Sequence, residues 1–193
     1  MRGCGNGSVG RDSVKKTSKL TSKRGMGADG DPVTERRRPT LRVARAADLP
    51  AIRQLTIESF GGVTLEENIE RALGELNGRD WRWRKARHVD ADYAANPQGI
   101  FVAAYRGRVV GYISAITDSA AGKGRIPNLA VAEAFRGMGL GRALIEHALD
   151  YLRAEGMVYV LIETMAQNEV GQHLYPSCGF VEVARQVHFA RKL

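Results

Sequence analysis

Cysteine is nearly missing from this chain: only Cys4 and Cys178 occur among 193 residues. Two cysteines cannot build the multi-bridge framework of a small secreted fold, and they point to a reducing, cytosolic setting. Long apolar runs are missing too, and none approaches the ~20 residues that a membrane-crossing helix needs. The charged first residues are followed by no apolar stretch of the secretory kind. What is present is an ordinary globular composition, 44% hydrophobic and 26% charged, which suits one domain with an appendage.

The formal charge of +8 invites a nucleic-acid reading, but its distribution argues against one. Residues 1–38 hold 10 Lys or Arg against 4 Asp or Glu, whereas the remaining 155 residues hold 19 against 17. The excess is therefore a property of the first segment, which is rich in Gly, Ser, Lys and Arg and has too few aliphatic residues to offset ordering. We expect residues 1–38 to be a disordered basic tail and residues 39–193 to be the folded domain. Such a tail can touch polyanions without specificity; no specific nucleic acid and no membrane partner is expected.

From Thr40 the texture changes. Leu41 and Val43 alternate with arginines as a short strand does. Asp48 is a plausible N-cap, with Pro50 in the first turn, for a helix to about Phe60. Thr64 and Glu67 form a capping-box pattern for a second helix, with Gly78 placed to close it. Residues 80–95 read weakly as helical or irregular. Ile100–Tyr105 and Arg108–Thr117 read as an antiparallel hairpin. Arg125–Val131 is a further strand, followed by a helix, the apolar strand Val158–Ile162, a short helix and a final strand from Phe180. The order is β-α-α-β-β-β-α-β-α-β, an α/β fold with a mixed central sheet flanked by helices.

The chemistry concentrates in IPNLAVAEAFRGMGLGRALIEHALDYL, residues 126–152. Leu140, Leu144, Ile145, Ala148, Leu149 and Leu152 share one helical face. Gly137, Gly139 and Gly141 stand at the start of that helix. A helix start offers unpaired N–H groups and a partial positive charge of roughly half a unit, and glycines let a bulky anion approach the backbone. Pyrophosphate is the natural guest. A Walker-type loop needs G-K-[S/T], which Gly141-Arg142-Ala143 fails. A dinucleotide fingerprint needs a third glycine where Arg142 stands. The pattern [Q/R]-x-x-G-x-[G/A] is met by Arg136-Gly137-Met138-Gly139-Leu140-Gly141.

Downstream lies Asn168-Glu169-Val170-Gly171-Gln172-His173-Leu174-Tyr175-Pro176-Ser177-Cys178-Gly179-Phe180. Together the two segments resemble the GNAT superfamily of N-acetyltransferases, whose later half carries N-x-x-A-x-x-L-Y-x-x-x-G-F after its pyrophosphate loop. The resemblance covers residues 40–193 in element order and is specific over 126–180. It implies the acyl-CoA N-acyltransferase fold, acetyl-CoA as cosubstrate, no metal, and transfer of acetyl directly to a primary amine of a small molecule or peptide.

In that superfamily the strand before the loop pairs with the pantetheine arm through its backbone; here that strand is Leu129, Ala130 and Val131. Pro127 is awkward in a regular central strand and fits the place where the superfamily's strand parts from its neighbour. The amides of Gly137, Met138, Gly139, Leu140, Gly141 and Arg142 would hold the pyrophosphate. Asn168 matches an asparagine that contacts pantetheine, and is equally a helix N-cap. Tyr175 matches the tyrosine that assists thiolate departure, although Pro176 restricts its backbone. Glu163 stands five residues before Asn168, the spacing of the glutamate in ribosomal-protein alanine acetyltransferases, a branch this segment resembles, and is the candidate general base.

Cys178 has no Cys/His/Asn pattern around it, and direct transfer needs none. The acceptor is expected to be chosen by residues between Phe60 and Pro97, where Trp81 and Trp83 are either pocket or packing. A non-catalytic acyl-CoA-binding module is the alternative, and a homodimer is an open assembly.

Overall fold

The computed structural model describes residues 38–193. The expected tail lies outside them apart from Arg38. Strand β1 (Thr40–Val43) pairs antiparallel with β2 (Ile100–Tyr105), Leu41 facing Ala103. The chain then turns at Arg106 and Gly107, both at positive φ as a tight hairpin requires, into β3 (Arg108–Ser114). β3 continues past Ala115 as the short β4 (Ile116–Asp118), which folds back on β5 (Lys123–Ile126). β5 passes through Pro127 and Asn128 into β6 (Leu129–Val131), and β6 lies antiparallel to β3, Ile113 facing Leu129. The last strand, β7 (Tyr159–Ile162), runs parallel to β5, Ile126 facing Ile162.

Two hydrogen-bonded sheets result, β1-β2-β3-β6 and β4-β5-β7. β5 and β7 stay paired up to Ile126 and Ile162; beyond that point β6 follows β3 and, among the described residues, pairs with no second strand. The expected single strand 125–131 is thus two. Pro127 has no N–H to give a ladder and marks the change of partner.

The helices α1 (Leu49–Ser59), α2 (Leu65–Leu73) and α3 (Trp81–Ala95) follow β1; α1 and α3 cover one face of the four-stranded sheet, and α2 packs on α3. Ile52 and Leu55 of α1 and Val89 of α3 are buried with Val102, Tyr112 and Ala130. The other face carries α4 (Leu140–Ala154), whose Leu144, Ile145, Ala148 and Leu152 are fully enclosed with Phe101, Ile113 and Ile126. Each of these leucine and isoleucine side chains stabilises the fold by roughly 1.5–3 kcal/mol. α4 rests directly on the sheet at Gly111, where an added Cβ would meet Leu144 Cδ1 at 3.2 Å and the Ala130 carbonyl at 3.3 Å. The helix α5 (Glu169–Ser177) follows β7.

Several boundaries differ from the sequence expectation. Residues 80–95 are a full helix: the Trp83 N–H donates to the Asp80 carboxylate, 2.9 Å, and caps it. The Thr64–Glu67 box does not close, because the Thr64 hydroxyl donates to Glu66 and Glu67 accepts from the Gly62 N–H. α2 ends at Gly74 rather than Gly78. Asp48 gives α1 no side-chain cap, since its carboxylate accepts two bonds from Arg42, 2.6 and 2.9 Å, and one from the Arg45 N–H.

The final strand from Phe180 is not formed. Residues 180–193 have no regular structure, and Val181, Val183, Val187 and Phe189 are exposed. Their alternation has a strand's period, but a strand exists only where a neighbour's edge takes up its hydrogen bonds. Among the described residues no helix is long and apolar enough to cross a membrane.

Candidate active site

The glycine-rich turn stands at the start of α4, where the sequence places it. Gly139 is the N-cap of α4, and the first helical bond runs from the Ala143 N–H to the Gly139 carbonyl, 3.0 Å. Gly137 and Gly139 hold φ of 74° and 77°, the left-handed region that side chains with a Cβ avoid. Among the described residues, the N–H groups of Gly137 through Arg142 make no close, well-aligned hydrogen bond to a backbone carbonyl. Unpaired amides at a positive helix end form an anion site, so these residues fit a pyrophosphate.

Gly141 has a different reason from the other two. A Cβ there would come within 3.3 Å of Leu174 Cδ2, so its missing side chain lets α5 pack on the first turn of α4. Arg142 strengthens the same contact: its guanidinium donates to the Ser177 carbonyl, 2.6 Å, and to the Ser177 hydroxyl, 2.9 Å. Arg136 turns back instead and donates to the Val131 carbonyl, 3.0 Å, tying the loop to the end of β6.

Leu129, Ala130 and Val131 form β6, paired on one side only. Ala130 is buried toward α1 and α3, while Leu129 and Val131 pack toward α4. On the other side of β6 the Val131 carbonyl accepts from Arg136, and the remaining backbone groups are left to bond a ligand's amides in strand fashion. That is the second feature of the site that fits the pantetheine arm of acetyl-CoA.

Glu163 follows β7 directly, at the point where β5 and β7 part. It is exposed and ion-paired with Arg125, 2.7 Å. Asn168 caps α5, its carbonyl oxygen accepting from the Gly171 N–H at 3.3 Å and its amide donating to the Thr164 hydroxyl at 2.8 Å. The cap reading of Asn168 is therefore realised. Gly171 is also pressed by this turn, since a Cβ there would fall 2.7 Å from Thr164 Oγ1. The loop between Glu163 and Asn168 reaches across to α2, where the Gln167 amide donates to Asn68 Oδ1 at 3.4 Å.

Tyr175 lies on α5, which runs through Pro176 to Ser177 without breaking. Pro176 has no N–H to give the Gln172 carbonyl, so the helix carries it at the loss of one bond in its last turn. The Tyr175 ring is half-buried, edge-on to Phe180 at 6.3 Å, and burial pushes its hydroxyl up to about 12. The phenol is accordingly neutral, a donor, throughout the neutral range. Helix packing through Gly141 and Leu174 brings α5 against the cradle. A separate hollow of about 280 Å³, lined by Met157, Tyr159, Val160, Cys178 and Phe180, shares no residue with the cradle.

Sequence reasoning missed one group altogether. Lys85, Asp92, Ser114 and Asn128 are 6%, 7%, 1% and 3% exposed and bond one another at the parting of the sheets. The available signal was the spacing Trp81, Lys85, Val89, Asp92, which puts two charged residues on the apolar face of one helix.

The model of the acetyltransferase (GNAT) family matches residues 63–180. The ribosomal protein bS18-alanine N-acetyltransferase of Salmonella typhimurium is 40% identical over 68 residues, 35% of this chain and 46% of that protein. The chain thus spans about half the length of that relative. The IAA acetyltransferase of Azospirillum brasilense is 32% identical over 122 residues, 62% of this chain and 76% of that protein. In fold, the crystal structure of the ribosomal-protein-S18-alanine N-acetyltransferase of Escherichia coli superposes with a TM-score of 0.55 at 22% identity, over 75% of this chain and 79% of that one.

Proposed function

The chain belongs to the acetyltransferase (GNAT) family, and on that premise we propose that it is an acetyl-CoA-dependent N-acetyltransferase acting on a primary amine. The observation that carries this reading is the pairing of two features: the run of amides from Gly137 to Arg142, which make no close backbone hydrogen bond among the described residues, and the strand Leu129–Val131 beside them, which has one partner strand there. The first suits a pyrophosphate and the second an amide-bearing arm; a ligand with both is an acyl-CoA. The domain is taken as residues 39–193.

Acetyl-CoA supplies the activated acetyl thioester. The amides of Gly137–Arg142 bind its diphosphate, the edge of β6 orients its arm, and Asn168 holds the loop between β7 and α5 in place. Tyr175 donates a hydrogen bond to the departing sulfur. With the phenol raised to about 12 and a thiol near about 8.5, full transfer of the phenolic proton is uphill. The tyrosine therefore stabilises charge, and the proton the thiolate finally takes comes from the amine through solvent. Glu163, solvated and paired with Arg125, accepts the amine's proton directly or through water.

An α-amine suits so exposed a base. Near neutral pH it costs about 1 kcal/mol to deprotonate, against about 4–5 for a lysine side chain. The 40% identity over 68 residues to a ribosomal protein bS18-alanine N-acetyltransferase supports a peptide N-terminus as acceptor. The test is thiol release from acetyl-CoA across peptide N-termini, amino acids, polyamines and aminoglycosides. Release with one class identifies the acceptor; acetyl-CoA binding with no release for any amine would make the chain a binding module instead.

A further inference from the structure

We infer that Lys85 and Asp92 are positioning residues that act through Asn128 to hold the free edge of β6 open for an acyl-CoA arm. The inference rests on the acyl-CoA reading above. Asn128 is the residue at which the chain leaves β5 for β6, and its main chain is fixed on both sides by Ser114. The Ser114 N–H donates to the Asn128 carbonyl, 2.9 Å, and the Asn128 N–H donates to the Ser114 hydroxyl, 3.2 Å.

The side-chain amide is fixed as fully. The Lys85 ammonium donates to Asn128 Oδ1, 2.7 Å, and the Asn128 Nδ2 donates to Asp92 Oδ2, 2.6 Å. The Ser114 hydroxyl donates to that same carboxylate oxygen, 2.7 Å. An amide with a cation on its oxygen and an anion on its nitrogen can take only one orientation. Lys85 and Asp92 both come from α3, and Lys85 also lies over the Phe60 ring, 4.1 Å from its centre.

Stability alone is a poor reason for this arrangement. Lys85 and Asp92 are bridged by Asn128 rather than in direct contact; buried charges lose about as much by desolvation as they gain by attraction, and apolar residues of the same volume often serve as well or better. What buried charge provides is a single geometry. Here the geometry it fixes is the pivot from which Leu129–Val131 run along β3 with their other side unpaired. With the pivot slack, β6 is free to drift toward the chain beyond β7 and close its own edge.

The test uses the full chain and acetyl-CoA titrated by calorimetry, so it needs no acceptor. Asn128→Asp places a carboxylate against Asp92 and should weaken acetyl-CoA binding by about tenfold or more, and Asp92→Asn should weaken it less. The double variant Asp92→Asn with Asn128→Asp exchanges donor and acceptor and sets the carboxylate beside Lys85, so it should return affinity to within about threefold of the original. A folded Asn128→Asp variant with unchanged affinity overturns the inference, and so does a double variant that recovers its melting temperature but not its affinity. If the single variant does not fold, the double variant alone decides by the same comparison. An unaltered chain that binds no acetyl-CoA overturns the acyl-CoA reading itself, and this inference with it.

Discussion

Arg142 and Ser177 join the two halves of the candidate site: one guanidinium, on the first turn of α4, donates to both the carbonyl and the hydroxyl that end α5. The helix that presents Tyr175 is thereby tied to the helix whose start forms the cradle.

Arg142→Ala keeps the backbone amide of residue 142 and removes this tie. We expect acetyl-CoA affinity to hold within about threefold while kcat falls about tenfold, because the phenol loses its aim rather than the diphosphate its donors. Arg142→Lys should restore little, since an ammonium does not reproduce a planar two-pronged donor. Steady-state kinetics beside calorimetry separates the two quantities; an affinity loss equal to the kcat loss would place the side chain on the ligand instead.

The cradle is tested by charge at constant backbone demand. Gly139 has φ of 77° and open space where a Cβ would stand, so Gly139→Asn and Gly139→Asp share a similar conformational cost of about 1 kcal/mol. The aspartate alone sets a negative charge against the diphosphate. Acetyl-CoA binding should vanish in Gly139→Asp and persist, weakened, in Gly139→Asn. Equal losses in both would mean that strain, not anion binding, explains the effect.

Tyr175→Phe should lower kcat by roughly 10²–10⁴ with little change in acetyl-CoA affinity. Because burial holds the phenol near 12, its proton is retained through the alkaline range, and kcat in the original chain should show no fall between about pH 8 and 10 from this group. An alkaline fall with a midpoint near 9 that Tyr175→Phe abolishes would contradict the burial that the structure gives it.

Glu66 makes stability sensitive to acid. Burial raises its carboxyl, but hydrogen bonds from His88 and Thr64 and the charge of His88 outweigh this and bring it to about 2, below its ordinary 4.5. A group whose folded value is depressed stabilises the fold above its unfolded value and loses that contribution as pH falls through the folded one. The loss should therefore run from about pH 5 down to about pH 2, and amount to about 1–2 kcal/mol once partial solvent screening is allowed for. In Glu66→Gln the midpoint of denaturant unfolding should vary less over that window.

The parts of the fold that were legible in sequence are those where local signals agree. The face of α4 from Leu140 to Leu152, the cradle glycines and the hairpin at Arg106–Gly107 all combine a period with a stop or turn. α3 was hard to read because Lys85 and Asp92 occupy its buried face, and charge there mimics a solvated side. The break at Asn128 had Pro127 as its only local mark. The strand expected from Phe180 shows the converse: Val181 and Val183 keep the period, yet no neighbour among the described residues takes the ladder. Asn168 was legible only as two alternatives, and the bond to the Gly171 N–H shows the capping one realised.

Gly111 has a consequence that reaches beyond its own packing. It is the single hydrogen at this position that lets Leu140 and Leu144 sit 3.2–3.5 Å from where a Cβ would be. Leu140 begins the helix that carries the phosphate amides, and the Ala130 carbonyl beneath belongs to the strand that would carry the arm. The clearance between the two binding elements is therefore gauged by a residue that touches neither a phosphate nor an amide of any ligand. A methyl group there would act as a shim, raising one wall of the site against the other by a few tenths of an ångström, a displacement large enough to misalign hydrogen bonds to a ligand held by both.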